Sequence, residues 1–121
     1  MNLENNFNIE YKITKPKNYK KYNIGIIGAG NIVENSHLPI YSEHDLNIIN
    51  IFDVDINKSK TLKDKFNIKK ISKNLNEFLQ DKNIDIVDIA VPAKYNKELF
   101  FETLSFNKNI LLQKPLSNNM L

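Results

Sequence analysis

Gly28, Gly30 and Asp53 are the residues whose types and spacing together describe a binding site. The two glycines flank Ala29 directly after the apolar run at residues 24–27, and Asp53 ends the next apolar run, residues 48–52. Glycine at the end of a buried strand lets the backbone turn sharply into a helix. A second glycine two residues on removes the Cβ that would keep a diphosphate away from that helix's first amides, here those of Asn31 and Ile32. A carboxylate after the second strand can accept the hydroxyls of an adenosine ribose. Asp53 lies twenty residues after Val33, near the ~20-residue separation that such pairs keep.

The same carboxylate repels a 2′-phosphate, and the chain has no arginine to pair one, so the expected cofactor is NAD in preference to NADP. Val33 stands where a third small residue would ease helix–strand packing, which implies a slightly wider crossing. The plain alternatives are a strand-to-helix turn that binds nothing, and an Asp53 that merely sits in a turn while Asp55 caps the next helix. Two further run ends could face the same ligand. Val91-Pro92 closes the fourth run, where a proline would stiffen a turn flanking the cofactor. Gln113-Lys114-Pro115 closes the fifth, and an ammonium there could hold a substrate hydroxyl and favour an alkoxide-like transition state. His37 and His44 have no acidic or cysteine partners at ligand spacing, so no metal is expected. His37 is expected to pack at a helix bend.

These positions need a scaffold that brings several strand ends to one edge. Residues 24–27, 48–52, 86–91 and 110–112 are short isoleucine-rich runs, the texture of strands covered on both faces in a parallel sheet. A weak strand is expected at 70–72. Helices are expected at 31–41, bent or broken near Pro39, at 57–66 behind Asp55 as cap, at 75–79 behind Asn74, and at 94–106. The last is the longest and should bring Tyr95, Leu99 and Phe100 to the sheet. The alternation predicts an α/β fold, a doubly wound parallel Rossmann sheet of order 3-2-1-4-5.

Composition narrows the class. All 17 basic residues are lysine and the net charge is only +3, which argues against nucleic acid as a partner. There is no cysteine, and no apolar run approaches the ~20 residues of a membrane helix. The first residues lack a secretion pattern, so a cytoplasmic protein is expected. Residues 1–21 read as an N-terminal arm, with alternating Phe7, Ile9, Tyr11 and Ile13 as an edge strand and a Pro/Lys linker after it. Residues 22–121 read as the nucleotide-binding domain.

Residues 22–117 resemble the N-terminal half of the Gfo/Idh/MocA oxidoreductases, the glucose–fructose oxidoreductase and inositol dehydrogenase family. The resemblance rests on Ile24-Gly25-Ile26-Ile27-Gly28-Ala29-Gly30, His37-Leu38-Pro39, Phe52-Asp53, the Asp85-to-Pro92 segment and Asn109-to-Pro115. It implies NAD(P)-dependent oxidation or reduction at a secondary alcohol of a sugar, inositol or related polyol, with Lys114 at the reacting centre. Gln113 stands where the family pattern has Glu, which removes a negative charge beside Lys114. Asn96 stands where His is frequent, and Asn107 where Gly usually precedes the fifth strand. The resemblance places most substrate contacts, and any homo-oligomer contact, in a later C-terminal domain. The chain is therefore expected to be a truncated member, inactive alone, and prone to associate through uncovered apolar surface. Two other readings stay open: a non-enzymatic NAD-sensing module, which needs no Lys-Pro after the fifth strand, and a methyltransferase with a similar glycine loop.

Overall fold

The computed structural model describes residues 14–116, so the edge strand expected at residues 7–13 lies outside the described residues. Five parallel strands form one sheet in the order 3-2-1-4-5, as expected. They are β1 (Asn23–Ile27), β2 (Asn47–Phe52), β3 (Lys70–Ile71), β4 (Ile86–Ile89) and β5 (Asn109–Leu112). Among the described residues no helix is long and apolar enough to cross a membrane.

Successive strand residues point to opposite faces, and both faces are packed. Ile24, Ile26 and Ile51 lie on one face beneath Val33, Leu38 and Leu62. These come from α1 (Leu38–Glu43), the turn before it, and α2 (Ile56–Phe66). Ile27, Val87 and Ile89 lie on the other face with Phe78 and Leu99, from α3 (Leu75–Leu79) and α4 (Asn96–Leu104). Gly25 belongs to this second face, and a Cβ there would come within 2.7 Å of the Phe78 ring. Its bareness lets Phe78 lie directly on the sheet. Each fully buried Ile or Phe contributes roughly 1.5–3 kcal/mol relative to exposure. The core is thus made of the isoleucine runs themselves.

Caps set the helix boundaries. The Asp55 carboxylate accepts the Asn57 N–H at 3.0 Å, and Asn74 accepts the Glu77 N–H at 2.8 Å, satisfying donors that a helix start leaves free. Asn67 and Asn107 take left-handed φ values of 54° and 56° after α2 and α4, a conformation asparagine tolerates at a helix C-terminus in place of glycine.

The structure corrects four expectations. Pro39 does not break its helix: the chain is helical from Asn31 to Glu43, and the irregularity is a π turn at Val33–His37. The Leu38 N–H reaches back five residues to the Val33 carbonyl, so the widened turn lies just before the proline that lacks a donor. The last helix is not the longest, because Ala93–Tyr95 tightens into a 3₁₀ turn and only nine residues form α4, against eleven in α2. Tyr95 stays 47% exposed and is not drawn onto the sheet. Finally, β5 is covered on one face only: Ile110 and Leu112 are half-buried, whereas Leu111 is 52% exposed.

Candidate functional site

β1 delivers the chain to Gly28 at the carboxyl edge of the sheet. Gly28 has φ 113°, and a Cβ there would sit 2.2 Å from the Ala90 carbonyl oxygen. Its N–H donates to the Phe52 carbonyl at 2.8 Å, tying the turn to the end of β2. The fold itself therefore requires glycine at 28. Gly30 is different. An added Cβ would meet no atom within 4 Å, so packing imposes no glycine there. The open space lies over the first turn of the helix at Asn31 and Ile32, whose N–H groups have no intrahelical partners. A diphosphate fits that cradle on charge and space, because a helix N-terminus carries partial positive charge.

Asp53 faces the same turn. One carboxylate oxygen accepts the Ala29 N–H at 2.8 Å and the other accepts the Asp55 N–H at 2.8 Å. The two aspartates thus divide the work: Asp55 caps α2, and Asp53 joins the glycine turn. A carboxylate has about four lone-pair positions, so each Asp53 oxygen retains capacity for a hydroxyl. Gly28, Asp53, Val91 and Pro92 come together around one cleft of about 370 Å³, with Tyr95 and Leu99 on its wall. Glu98 and Glu102 also line it, and no lysine does. The cleft therefore offers acceptors to hydroxyls and repulsion to a phosphate. Gly30 and Asn31 line a separate depression of about 270 Å³ with Glu34 and Lys58, while Ile32 is 46% exposed.

Gln113 and Lys114 line neither hollow. They leave β5 at the same sheet edge, with Lys114 exposed and Gln113 half-buried. The Lys114 N–H donates to the Gln113 side-chain oxygen at 3.0 Å. The Asn96 amide donates to the Gln113 and Pro115 carbonyls, at 3.2 and 2.8 Å. Gln113 Nε2 lies 3.0 Å from His37 Nε2, and His37 Nδ1 lies 2.6 Å from Asp88 Oδ2. The Tyr41 hydroxyl donates to that same Asp88 oxygen at 2.7 Å. Burial first, then the negative charge and hydrogen bond of Asp88, push the Tyr41 hydroxyl pKa well above its usual value.

His37 thus does more than pack at a helix bend. Asp88 and Tyr41 were not expected in this arrangement, and Asn96 was noted only for standing where His is frequent. One signal was available: Asp88 interrupts the apolar run at 86–91, and a carboxylate at a buried strand position needs donors. A larger hollow of about 480 Å³, lined by Lys20, Asp45, Asn47 and Lys69, lies at the amino ends of β2 and β3. Ligands of open α/β sheets bind at the carboxyl ends, so it is not the candidate site. No group of His, Cys, Asp and Glu suited to a metal occurs among the described residues.

Known proteins share this fold. Residues 22–120 match the model of an oxidoreductase family with an NAD-binding Rossmann fold. Over 97 residues the chain is 28% identical to the myo-inositol 2-dehydrogenase of Thermotoga maritima, covering 80% of this chain and 29% of that protein. Its fold superposes on the WlbA dehydrogenase of Chromobacterium violaceum, solved with NADH and UDP-GlcNAcA, with TM-score 0.78 and 19% identity over 88% of this chain and 31% of that one. KijD10, a 3-ketoreductase of Actinomadura kijaniata solved with NADP and TDP-benzene, gives TM-score 0.75 at 22% identity over 81% and 30% of the two chains. The chain thus spans less than a third of the length of each.

Proposed function

The chain belongs, over residues 22–120, to the oxidoreductase family with an NAD-binding Rossmann fold, and on that premise we propose that it is the cofactor domain of an NAD-dependent dehydrogenase. Its substrate would be a secondary alcohol of a sugar, inositol or related polyol. The observation that carries this reading is the bond from the Ala29 N–H to Asp53 beside the open space at Gly30. That bond draws a ribose-reading carboxylate and a phosphate-sized gap onto a single turn. The substrate class is supported by the myo-inositol dehydrogenase among its relatives.

A bound NAD supplies the carbon that accepts the hydride. The chain's own residues bind and orient. Backbone amides at Gly30, Asn31 and Ile32 hold the diphosphate, and Asp53 takes the adenosine ribose. Val91 and Pro92 form a stiff wall beside it. Gln113 and Lys114 would face the reacting end, where the Lys114 ammonium would donate to the substrate oxygen. It would stabilise the negative charge that oxygen carries once its proton has passed to a solvent base, a charge that goes into the new carbonyl bond as the C–H bond breaks. Asp53, Glu98 and Glu102, with no lysine in the cleft, favour NAD over NADP. Because the chain spans 29% of the inositol dehydrogenase, we expect it to bind cofactor without turning over substrate.

Titration of NADH fluorescence tests the assignment. Loss of hydrogen bonds to a charged carboxylate costs about 1.5–3 kcal/mol, so Asp53→Ala should weaken NADH by about tenfold or more. NADPH should bind the unaltered chain more weakly than NADH, with the gap narrowing in the variant. Equal NADH affinities for the two proteins would remove Asp53 from the site.

A further inference from the structure

Lys114 is exposed, yet the backbone that carries it is held on two sides. From α4, the buried Asn96 amide donates to the carbonyls on either side of it, those of Gln113 and Pro115. From the opposite face of the sheet, Gln113 is held by His37. The orientation of the Gln113 amide follows from its neighbours. Its oxygen accepts the Lys114 N–H at 3.0 Å, so its NH₂ group must be the end that meets His37. His37 Nε2 therefore accepts. The ring's proton is then on Nδ1, which donates to Asp88 Oδ2 at 2.6 Å. The His37 side chain is 14% exposed and that of Asp88 1%, so the chain of bonds runs through a site largely closed to water.

We infer that His37, fixed as its Nδ1–H tautomer by Asp88, is a positioning residue that holds the Gln113 amide and through it the backbone presenting Lys114. The inference rests on the reading of Lys114 given above and deepens it. Three separate segments meet here: the π turn before α1, the middle of β4 and the end of β5. The π turn carries His37 to Asp88, and Asp88 and Gln113 point to the same face of the sheet by strand parity. Asp88 Oδ1 is buried without a hydrogen-bond partner among the described residues. Both of the donors that reach this carboxylate, His37 and Tyr41, converge on its other oxygen. At Asp88 the two donors hold the oxygen that faces the ring. A glutamate at 113 would offer His37 only an acceptor, and Nε2 would then have to carry a proton. Glutamine at 113 is what makes the bare Nε2 the complementary state.

Long-range proton–nitrogen NMR on the folded chain reads the tautomer directly. His37 should show a proton on Nδ1 and a bare Nε2, and Gln113→Glu should place N–H on both ring nitrogens. A wild-type ring protonated on Nε2 would overturn the inference without any variant. Amide exchange supplies the second readout. Losing one hydrogen bond should speed exchange at the Lys114 N–H by about tenfold in Gln113→Leu and His37→Leu. Amides of β1 and β4 should keep their wild-type rates, and Gln113→Glu should restore slow exchange at Lys114. Unchanged exchange at Lys114 in both folded leucine variants would also overturn it. If neither folds, the wild-type and Gln113→Glu ring signatures decide. Lys114→Met separates the two readings. It should leave the His37 signature intact while abolishing saturation transfer between the lysine side chain and the nicotinamide of NADH. If wild type shows no such transfer, the role of Lys114 falls even though the His37 arrangement stands.

Discussion

The two glycines of the turn make different demands, and single alanine substitutions separate them. At Gly28 a Cβ collides with the Ala90 carbonyl and φ is 113°, a conformation that costs an ordinary residue about 1–2 kcal/mol before any clash. Gly28→Ala should therefore lower the melting temperature by at least about 4 °C, at roughly 4 °C per kcal/mol for a domain of this size. Gly30→Ala should change stability by less than about 1 kcal/mol yet weaken NADH binding, because the only thing its methyl group can meet is a ligand. Thermal unfolding and NADH titration of the same two proteins check both statements; a Gly30→Ala chain with full affinity would take the diphosphate away from that turn. At this scale the glycine turn and the place of Asp53 beside it were legible, because a strand end and a fixed spacing are local properties. His37 and Asp88 were not, since 51 residues separate them and only the folded sheet brings them together.

Among the elements, β2, β3 and the turn after α3 are joined by a buried polar cluster. Asn50 bonds to Ser72 at 2.9 Å and to Asp81 at 3.2 Å, while the Lys70 ammonium lies 2.6 Å from Asp81. Burial by itself would raise the Asp81 pKa, but hydrogen bonds from Lys70, the Asn83 N–H and Asn50 outweigh it, and the result is a pKa below 3.8. A carboxylate whose folded pKa is depressed adds stability above its unfolded pKa, and that stability is lost as pH falls through the folded value. Unfolding midpoints in denaturant should thus decline below about pH 4, and Asp81→Asn should be less stable at neutral pH with a shallower decline. An unchanged acid limb in that variant would remove Asp81 from the effect. The strands, their order and two helix caps could be read from apolar runs and cap residues. The π turn could not, because shifting one hydrogen bond by a residue leaves the apolar periodicity nearly intact. The early end of β4 at Ile89 was equally hidden: Ala90 and Val91 remain apolar, and the Ala90 N–H still reaches the Ile27 carbonyl while its own carbonyl packs against Gly28.

At the level of the whole molecule, the described surface is uneven. Leu111 on the open face of β5, Leu116 beyond it, and Phe101 and Leu104 on α4 are 49–67% exposed. Large exposed apolar side chains on and beside an edge strand leave surface liable to self-association. We expect the chain to associate at micromolar concentration, and Leu111→Lys to reduce that association without lowering the melting temperature. Sedimentation velocity on both proteins tests this, and a monodisperse wild-type monomer would refute it. That one-sided strand runs against the expectation of strands covered on both faces, and an isoleucine–leucine run cannot by itself say how many of its faces find company.

The hydrogen bond between Ala29 and Asp53 binds cofactor selectivity to mechanical soundness. A replacement at 53 without a side-chain acceptor strips the Ala29 amide of its partner, at a cost of about 1–3 kcal/mol for a buried donor left alone. Redesigning this chain for NADP therefore calls for a residue at 53 that loses the charge but keeps an oxygen for the Ala29 N–H, as asparagine does. Variants lacking that oxygen should shift the preference at the expense of a lower melting temperature.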